Sequence, residues 1–143
     1  MDLSILENIK TSFGLSDIDV NSYSPLTLAF IGDCVFDLVV KTVVVETANC
    51  PANKLHKKTS SIVKAKSQSL MAGWLLDNDM LTGEEQAIMK RGRNAKSPTT
   101  AKNATVGDYR RATGLEALIG YLYLSNRTER LVEIIKACMT NVM

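Results

Sequence analysis

Two long apolar segments constrain this chain more than any other feature. The first, roughly Leu26 to Thr47, contains LTLAFIGDCVFDLVV, and the second, roughly Val106 to Ser125, contains ATGLEALIGYLYL. Neither alternates with the period of two of a half-buried strand, and both outrun the usual strand length. Helices that are apolar nearly all round belong in the middle of a helical domain. The Val43–Val45 run favours a strand by propensity, yet no neighbouring stretch alternates so as to pair with it, and it reads as helix. Ser24-Pro25 supplies the start signal, with Ser as the cap and Pro presetting the first helical φ.

Each apolar helix carries an acid, Asp33 in the first and Glu116 in the second. An ionised carboxylate buried without a partner is costly, so these positions need an explanation. Gly32, Gly114 and Gly120 lie close by, and glycine inside a helix costs about 1 kcal/mol relative to alanine. Such glycines mark close backbone approach, with these two helices the natural partners. Two readings follow. Either Asp33 and Glu116 converge on a divalent cation, whose hard character suits Mg²⁺ with Mn²⁺ as a substitute, or each acid is neutralised separately by a Lys, an Arg or a backbone N–H. Asp37, one turn after Asp33, and Asp108, two turns before Glu116, are either outer partners of such a centre or ordinary exposed charges.

Other chemistries have little to work with. The single histidine, His56, sits among lysines and excludes multi-histidine metal clusters. Cys34, Cys50 and Cys138 form no CxxC pair, which argues against a zinc site and a disulfide framework. There is no Walker A or GxGxxG motif. The N-terminus, MDLSILENIK, does not read as a secretory leader, and the apolar run around Val35–Val45 is interrupted by Asp37 and Lys41, so the expectation is a reduced, cytoplasmic protein without a membrane span.

The remaining segments fill out a helical domain. Leu3, Ile5, Leu6, Ile9 and Phe13 recur at helical spacing before Gly14, and Asp17–Tyr23 is a polar connector. After a break at Asn49-Cys50-Pro51 comes a basic helix through Lys54, Lys57 and Lys58, then a helix holding Val63, Leu70, Met71, Trp74 and Leu75. Thr82 and Glu85 have the spacing of a capping box for a helix to about Arg91. Gly92 to Thr105 is small, basic and without apolar periodicity, so it reads as a loop. Asn126 and Glu129 suit the start of the last helix, which places Leu131, Ile134, Ile135 and Cys138 on one face. Trp74, Tyr121 and Tyr123 read as core or interface residues, and Met71, Met89 and Met139 as packing. With 3 Pro and 8 Gly in 143 residues and no repeat, the whole chain, 1–143, is expected to be one all-α domain, a bundle of six or seven helices.

A formal charge of +2 conceals an uneven distribution. Residues 1–50 carry 2 basic and 7 acidic side chains, whereas residues 51–111 carry 12 basic and 5 acidic ones. The middle of the chain is either the place for a polyanion or a solvated basic face.

The blocks IGDCVFDLVV, NKLHKKTSSIVKAKSQS, EEQAIMKRGRNAKS and YRRATGLEALIGYLYL, in this order and spacing, resemble the catalytic domain of the ribonuclease III family, and most closely its Mini-ribonuclease III subfamily. The resemblance covers about residues 20–140, with IGD around Asp33 and EALIG around Glu116 as its most specific parts and RGRNAKS as the part particular to the subfamily. It implies a ribonuclease III-type helical fold, a homodimer with a valley between subunits, and Mg²⁺-dependent hydrolysis of double-stranded RNA leaving 5′-phosphate and 3′-hydroxyl ends. Asp33 then matches the family's catalytic aspartate and Glu116 its metal-binding glutamate, both serving as catalytic and metal-ligating residues. The subfamily's role implies precursor large-subunit (23S) ribosomal RNA as substrate, with a ribosomal protein as a conceivable helper.

Two positions depart from ribonuclease III proper: Ala29 and Thr113 stand where that enzyme has acids, which leaves the number of metal ions open. The family's double-stranded-RNA-binding domain is also not in evidence after Glu116. RNA would then be held by the domain's own surface, through phosphates and 2′-hydroxyls. The candidates are Arg91, Arg93, Lys96, Lys102 and Arg110, with Lys90 and Arg111 in the same segment, Asn94 and Asn103 for sugar hydroxyls, and Lys54 and Lys57 extending the strip. The competing readings are a catalytically silent double-stranded-RNA-binding protein on the same fold and a helical adaptor for other proteins. A silent binder gains nothing from two buried acids, and an adaptor would show no salt-sensitive RNA affinity.

Overall fold

A computed structural model of the chain describes residues 2–96 and 105–143. Among the described residues there are seven α-helices and no strand: α1 Ile5–Phe13, α2 Pro25–Thr47, α3 Ala52–Val63, α4 Ala65–Asp77, α5 Gly83–Asn94, α6 Val106–Leu124 and α7 Thr128–Val142. The caps read at Ser24, Thr82 and Gly14 are where the sequence puts them, and Ser4 adds one not read there. Ser24 accepts from the Thr27 amide at the head of α2, with Pro25 in the first turn. Thr82 and Glu85 close a reciprocal box on α5, and Ser4 and Glu7 do the same on α1. The left-handed Gly14 ends α1.

Helix α6 is the axis of the molecule, packed by α2, α4, α5 and α7. From Ala112 to Leu122 every residue is buried except Glu116, which is half-buried. The core against it includes Phe36 and Val40 from α2, Met71 and Leu75 from α4, and Ile134 and Ile135 from α7. Trp74 and Tyr123 pack partly buried against this core, as does Met139. Tyr121 is buried, with its hydroxyl donating to Glu84 and Arg127 over its ring.

Four local details differ from the sequence reading. Val63 ends α3 rather than belonging to α4, because the chain turns extended at Lys64; Ser67 and Gln68 then donate to the freed carbonyls of Ser61 and Val63. Helix α5 continues to Asn94, so Gly92, Arg93 and Asn94 are helical rather than in the loop. Gly92 is there for packing: a Cβ on it would meet the Gly114 Cα at 2.9 Å. Asn126 does not open α7, which begins at Thr128; it adopts a left-handed φ of 57° and its amide donates to Glu7, tying α1 to the turn after α6. The Asp17–Tyr23 connector contains a short 3-10 turn, Val20–Ser22, capped by Asp19.

One ion pair holds the far side of the bundle. Glu85 is only 2% exposed and receives both Nε and a terminal nitrogen of Arg130 at 2.9 and 2.8 Å, while Arg130 also donates to the Met80 carbonyl. The planar fork matches the carboxylate. Arg130 holds the Glu85 carboxyl below the usual carboxylate range.

Candidate active site

The crossing of α2 and α6 builds the site. A Cβ added to Gly32 would lie 1.7 Å from the Glu116 carbonyl oxygen, and one added to Gly120 would lie 1.9 Å from that of Leu28. Only glycine lets the two backbones touch in this way. Gly114, by contrast, serves the α5–α6 contact, where its Cβ would meet the Met89 carbonyl at 2.6 Å. With Gly32 pressed onto the Glu116 backbone, the neighbouring Asp33 side chain is carried onto the Glu116 side chain, and the two carboxyl groups share a hydrogen bond. The two acids therefore lie near one another, and among the described residues no lysine or arginine forms an ion pair with Glu116.

The electrostatics follow from that placement. Burial pushes the Glu116 carboxyl up to about 8, and the hydrogen bond and charge of Asp33 add to the rise, while Gln68 opposes it. With its carboxyl pushed up to about 8, Glu116 carries a proton near neutral pH. Asp33 is exposed, which leaves the pair open to solvent on the α2 side. Among the described residues no cluster of three or more Asp, Glu, His or Cys forms a closed metal cage. A pair of hard carboxylate oxygens, open to solvent and lacking a cationic side chain, fits a divalent cation that keeps much of its water shell.

The neighbouring acids do not complete the donor set. Asp37 pairs with Lys41 at 2.9 Å. Asp108 sits at the head of α6, bonded to Arg111 at 3.2 Å, and its carboxyl is held low, chiefly by the Ser69 hydroxyl. Ala29 and Thr113 are both 7% exposed, and the Thr113 hydroxyl donates to the Tyr109 carbonyl within its own helix.

Lys54 and Lys57 are exposed on α3; Arg91, Arg93 and Asn94 are exposed on α5; Lys96 is exposed just after α5 and Arg110 is exposed on α6. Lys102 and Asn103 lie outside the described residues. Arg111 has a different employment from the other cations of its segment, since its Nε donates to the buried Ser69 at 2.6 Å and clamps α6 to α4. Lys90, Arg93 and Arg111 rim a cavity of about 350 Å³ whose walls include Ala72, Leu76 and Met89. His56 is exposed, and the three cysteines are free thiols. Among the described residues no helix is long and apolar enough to cross a membrane.

Sequence reasoning missed Gln68. It is 3% exposed, and its carboxamide lies against the Glu116 carboxyl. A signal existed: Ser67, Gln68 and Ser69 form a polar run in a helix that is otherwise apolar on its buried face, and all three are buried.

Comparison with known proteins gives a consistent picture. The ribonuclease III domain family model matches residues 26–127. The chain is 46% identical to the Mini-ribonuclease 3 of a Thermoanaerobacter species over 136 residues, covering 95% of this chain and 94% of that protein. It is 44% identical to the Staphylococcus aureus Mini-ribonuclease 3 over 88% of this chain and 94% of that one. A crystal structure of a Fusobacterium nucleatum protein superposes with a TM-score of 0.77 at 32% identity, covering 89% of this chain and all of the other.

Proposed function

The chain belongs to the ribonuclease III domain family, among its Mini-ribonuclease 3 members, and from that premise we propose that it cleaves double-stranded RNA with a divalent cation held by Asp33 and Glu116. That it is an endoribonuclease follows from the family; the metal, the residues and the natural RNA are the proposal. The observation that carries it is the carboxyl pair at the α2–α6 crossing, where among the described residues no cationic side chain neutralises Glu116. An ion there, Mg²⁺ with Mn²⁺ as a substitute, supplies neutralisation of charge on the scissile phosphate and acidification of water. Asp33, exposed, is the side of the pair that meets solvent and substrate. Glu116, fixed in the packed axis helix, gives the pair its position. Asp33 and Glu116 would hold the ion through ionised carboxylate oxygens, so its binding would be linked to proton release from Glu116.

The RNA backbone is met by the exposed cations Lys54, Lys57, Arg91, Arg93, Lys96 and Arg110, with the exposed Asn94 for a sugar hydroxyl. Lys102 and Asn103 complete the proposed set. Arg111 is left out because Ser69 and Asp108 occupy it. The working unit is a homodimer. Phe30 is 81% exposed on α2, and Leu38 and Val45 are exposed on the same helix, apolar side chains that are costly to leave in water. The substrate is precursor large-subunit ribosomal RNA in the cytoplasm.

The test is a gel assay of end-labelled double-stranded RNA with Mg²⁺ and with EDTA, wild type beside Asp33→Asn. Metal-dependent fragments with 5′-phosphate ends, lost in the variant, are expected. RNA that is bound but intact under every condition would instead make the protein a silent binder, and cleavage retained by Asp33→Asn would remove the mechanism.

A further inference from the structure

Gln68 is placed unlike the other polar residues among those described. It is 3% exposed, one turn into α4, and its side-chain nitrogen donates to the Val63 carbonyl at the end of α3 at 2.7 Å. The same carboxamide lies against the Glu116 carboxyl. Its Oε1 is buried and has no partner, and it is the one such side-chain atom among the described residues.

The orientation of this amide is therefore not arbitrary. Turning the group over would put its oxygen against the Val63 carbonyl oxygen and break the 2.7 Å bond. The NH₂ has two hydrogens; with one committed to Val63, the other is free to meet Glu116. A donor facing a carboxylate oxygen fixes the orientation of that carboxylate. Capping α3 alone would not explain the residue, since exposed amides and hydroxyls cap helices elsewhere in this chain without burying an unpaired oxygen.

We infer that Gln68 is a positioning residue for the metal site: its carboxamide, locked by the Val63 carbonyl, donates to the Glu116 carboxylate and holds it in the orientation that receives the cation. This rests on the carboxylate–metal reading above. Hydrogen-bonding partners behind metal ligands typically change metal affinity or activity by about 10- to 100-fold when removed.

The experiment measures Mn²⁺ binding to the RNA-free protein by the loss of the free-ion EPR signal, for wild type, Gln68→Leu and Gln68→Met. Both substitutions are similar in size and lack the donor. The expected result is a folded variant that binds Mn²⁺ about 10-fold or more weakly, and whose cleavage rate recovers when Mg²⁺ is raised, with KM for RNA unchanged. Affinity within twofold of wild type, or a cleavage defect that excess Mg²⁺ does not relieve, would overturn the inference and leave Gln68 as a cap for α3. Wild-type protein that binds no Mn²⁺ would fail the underlying metal reading instead. A measurement on the unaltered protein guards against a variant that does not fold: the Gln68 side-chain NH₂ resonances should move when Mg²⁺ is added and not move in Glu116→Gln. Resonances indifferent to Mg²⁺ would equally sink the assignment.

Discussion

Glu85 and Glu116 are both drawn into the body of the same bundle, yet they are opposite objects. Glu85 is almost fully covered, but Arg130 grips both its oxygens and the Thr82 amide reaches one of them, so its carboxyl is held low. Glu116 is less covered, but its nearest charged neighbour is another acid, and its carboxyl is pushed up to about 8. Burial alone does not decide what a buried glutamate is for; its partner does. With a guanidinium present the group is a tie between α5 and α7. With an aspartate in that place, the group lacks a cation and is suited to take one from solution.

The sharpest way to break this contrast is to remove the charge from each glutamate in turn. Glu116→Gln is expected to lower cleavage on the order of 10³-fold or more, as losing a group that stabilises charge in the reaction does. Its thermal stability without metal should be unchanged or raised, since the wild-type group is already protonated in the fold near neutral pH. Glu85→Gln should do the reverse, costing about 2–3 kcal/mol by leaving the Arg130 charge half-paired, with cleavage at low temperature preserved. Denaturant titrations beside cleavage rates read both. A stable Glu85→Gln, or a Glu116→Gln that unfolds, would dissolve the distinction.

Gly32→Ala tests what places Glu116 beside Asp33. The new Cβ would fall 1.7 Å from a backbone oxygen that has no freedom to rotate away, so α2 must shift off α6. The expectation is a loss of about 1–3 kcal/mol, the usual range for overpacking, together with a weaker metal site. At Gly73, where an added Cβ meets nothing within 4 Å, the same substitution should stabilise slightly, by about 0.5–1 kcal/mol.

The smallest effect sharpens the comparison through pH. Glu116 has a folded pKa raised from 4.5 to about 8, so its contribution to stability is fully present below 4.5 and is lost as pH rises through about 8. Without divalent cations the Tm should therefore decline by a few degrees across that window, and added Mg²⁺ should raise Tm more at pH 8 than at pH 6. Glu85 acts with the opposite sign: its pKa is lowered, so the stability it brings is present above its unfolded value and is lost as pH falls through its folded one. A Tm that rises steadily from pH 5 to 8 in EDTA would contradict the assignment of Glu116.

Much of this molecule was determined by its sequence. Apolar segments too long and too evenly apolar for strands made α2 and α6 the central helices, and Ser24-Pro25 and Thr82–Glu85 fixed two helix starts, because caps and periodicity are local physics. The meeting of Asp33 and Glu116 was legible as well, since a carboxylate and a glycine side by side in an apolar helix admit few explanations. Three things were settled only by the tertiary structure. Gly92 reads as a loop residue until Gly114 is seen pressed against it. Arg111 belongs by sequence to the basic segment, but Ser69 and Asp108, one of them 42 residues away, take it for packing. Gln68 gains its meaning from a carbonyl five residues back and a carboxyl on another helix. In each case the partner is distant in the chain or hidden by a helix end, and a side chain's role is set by the groups around it once water has been excluded.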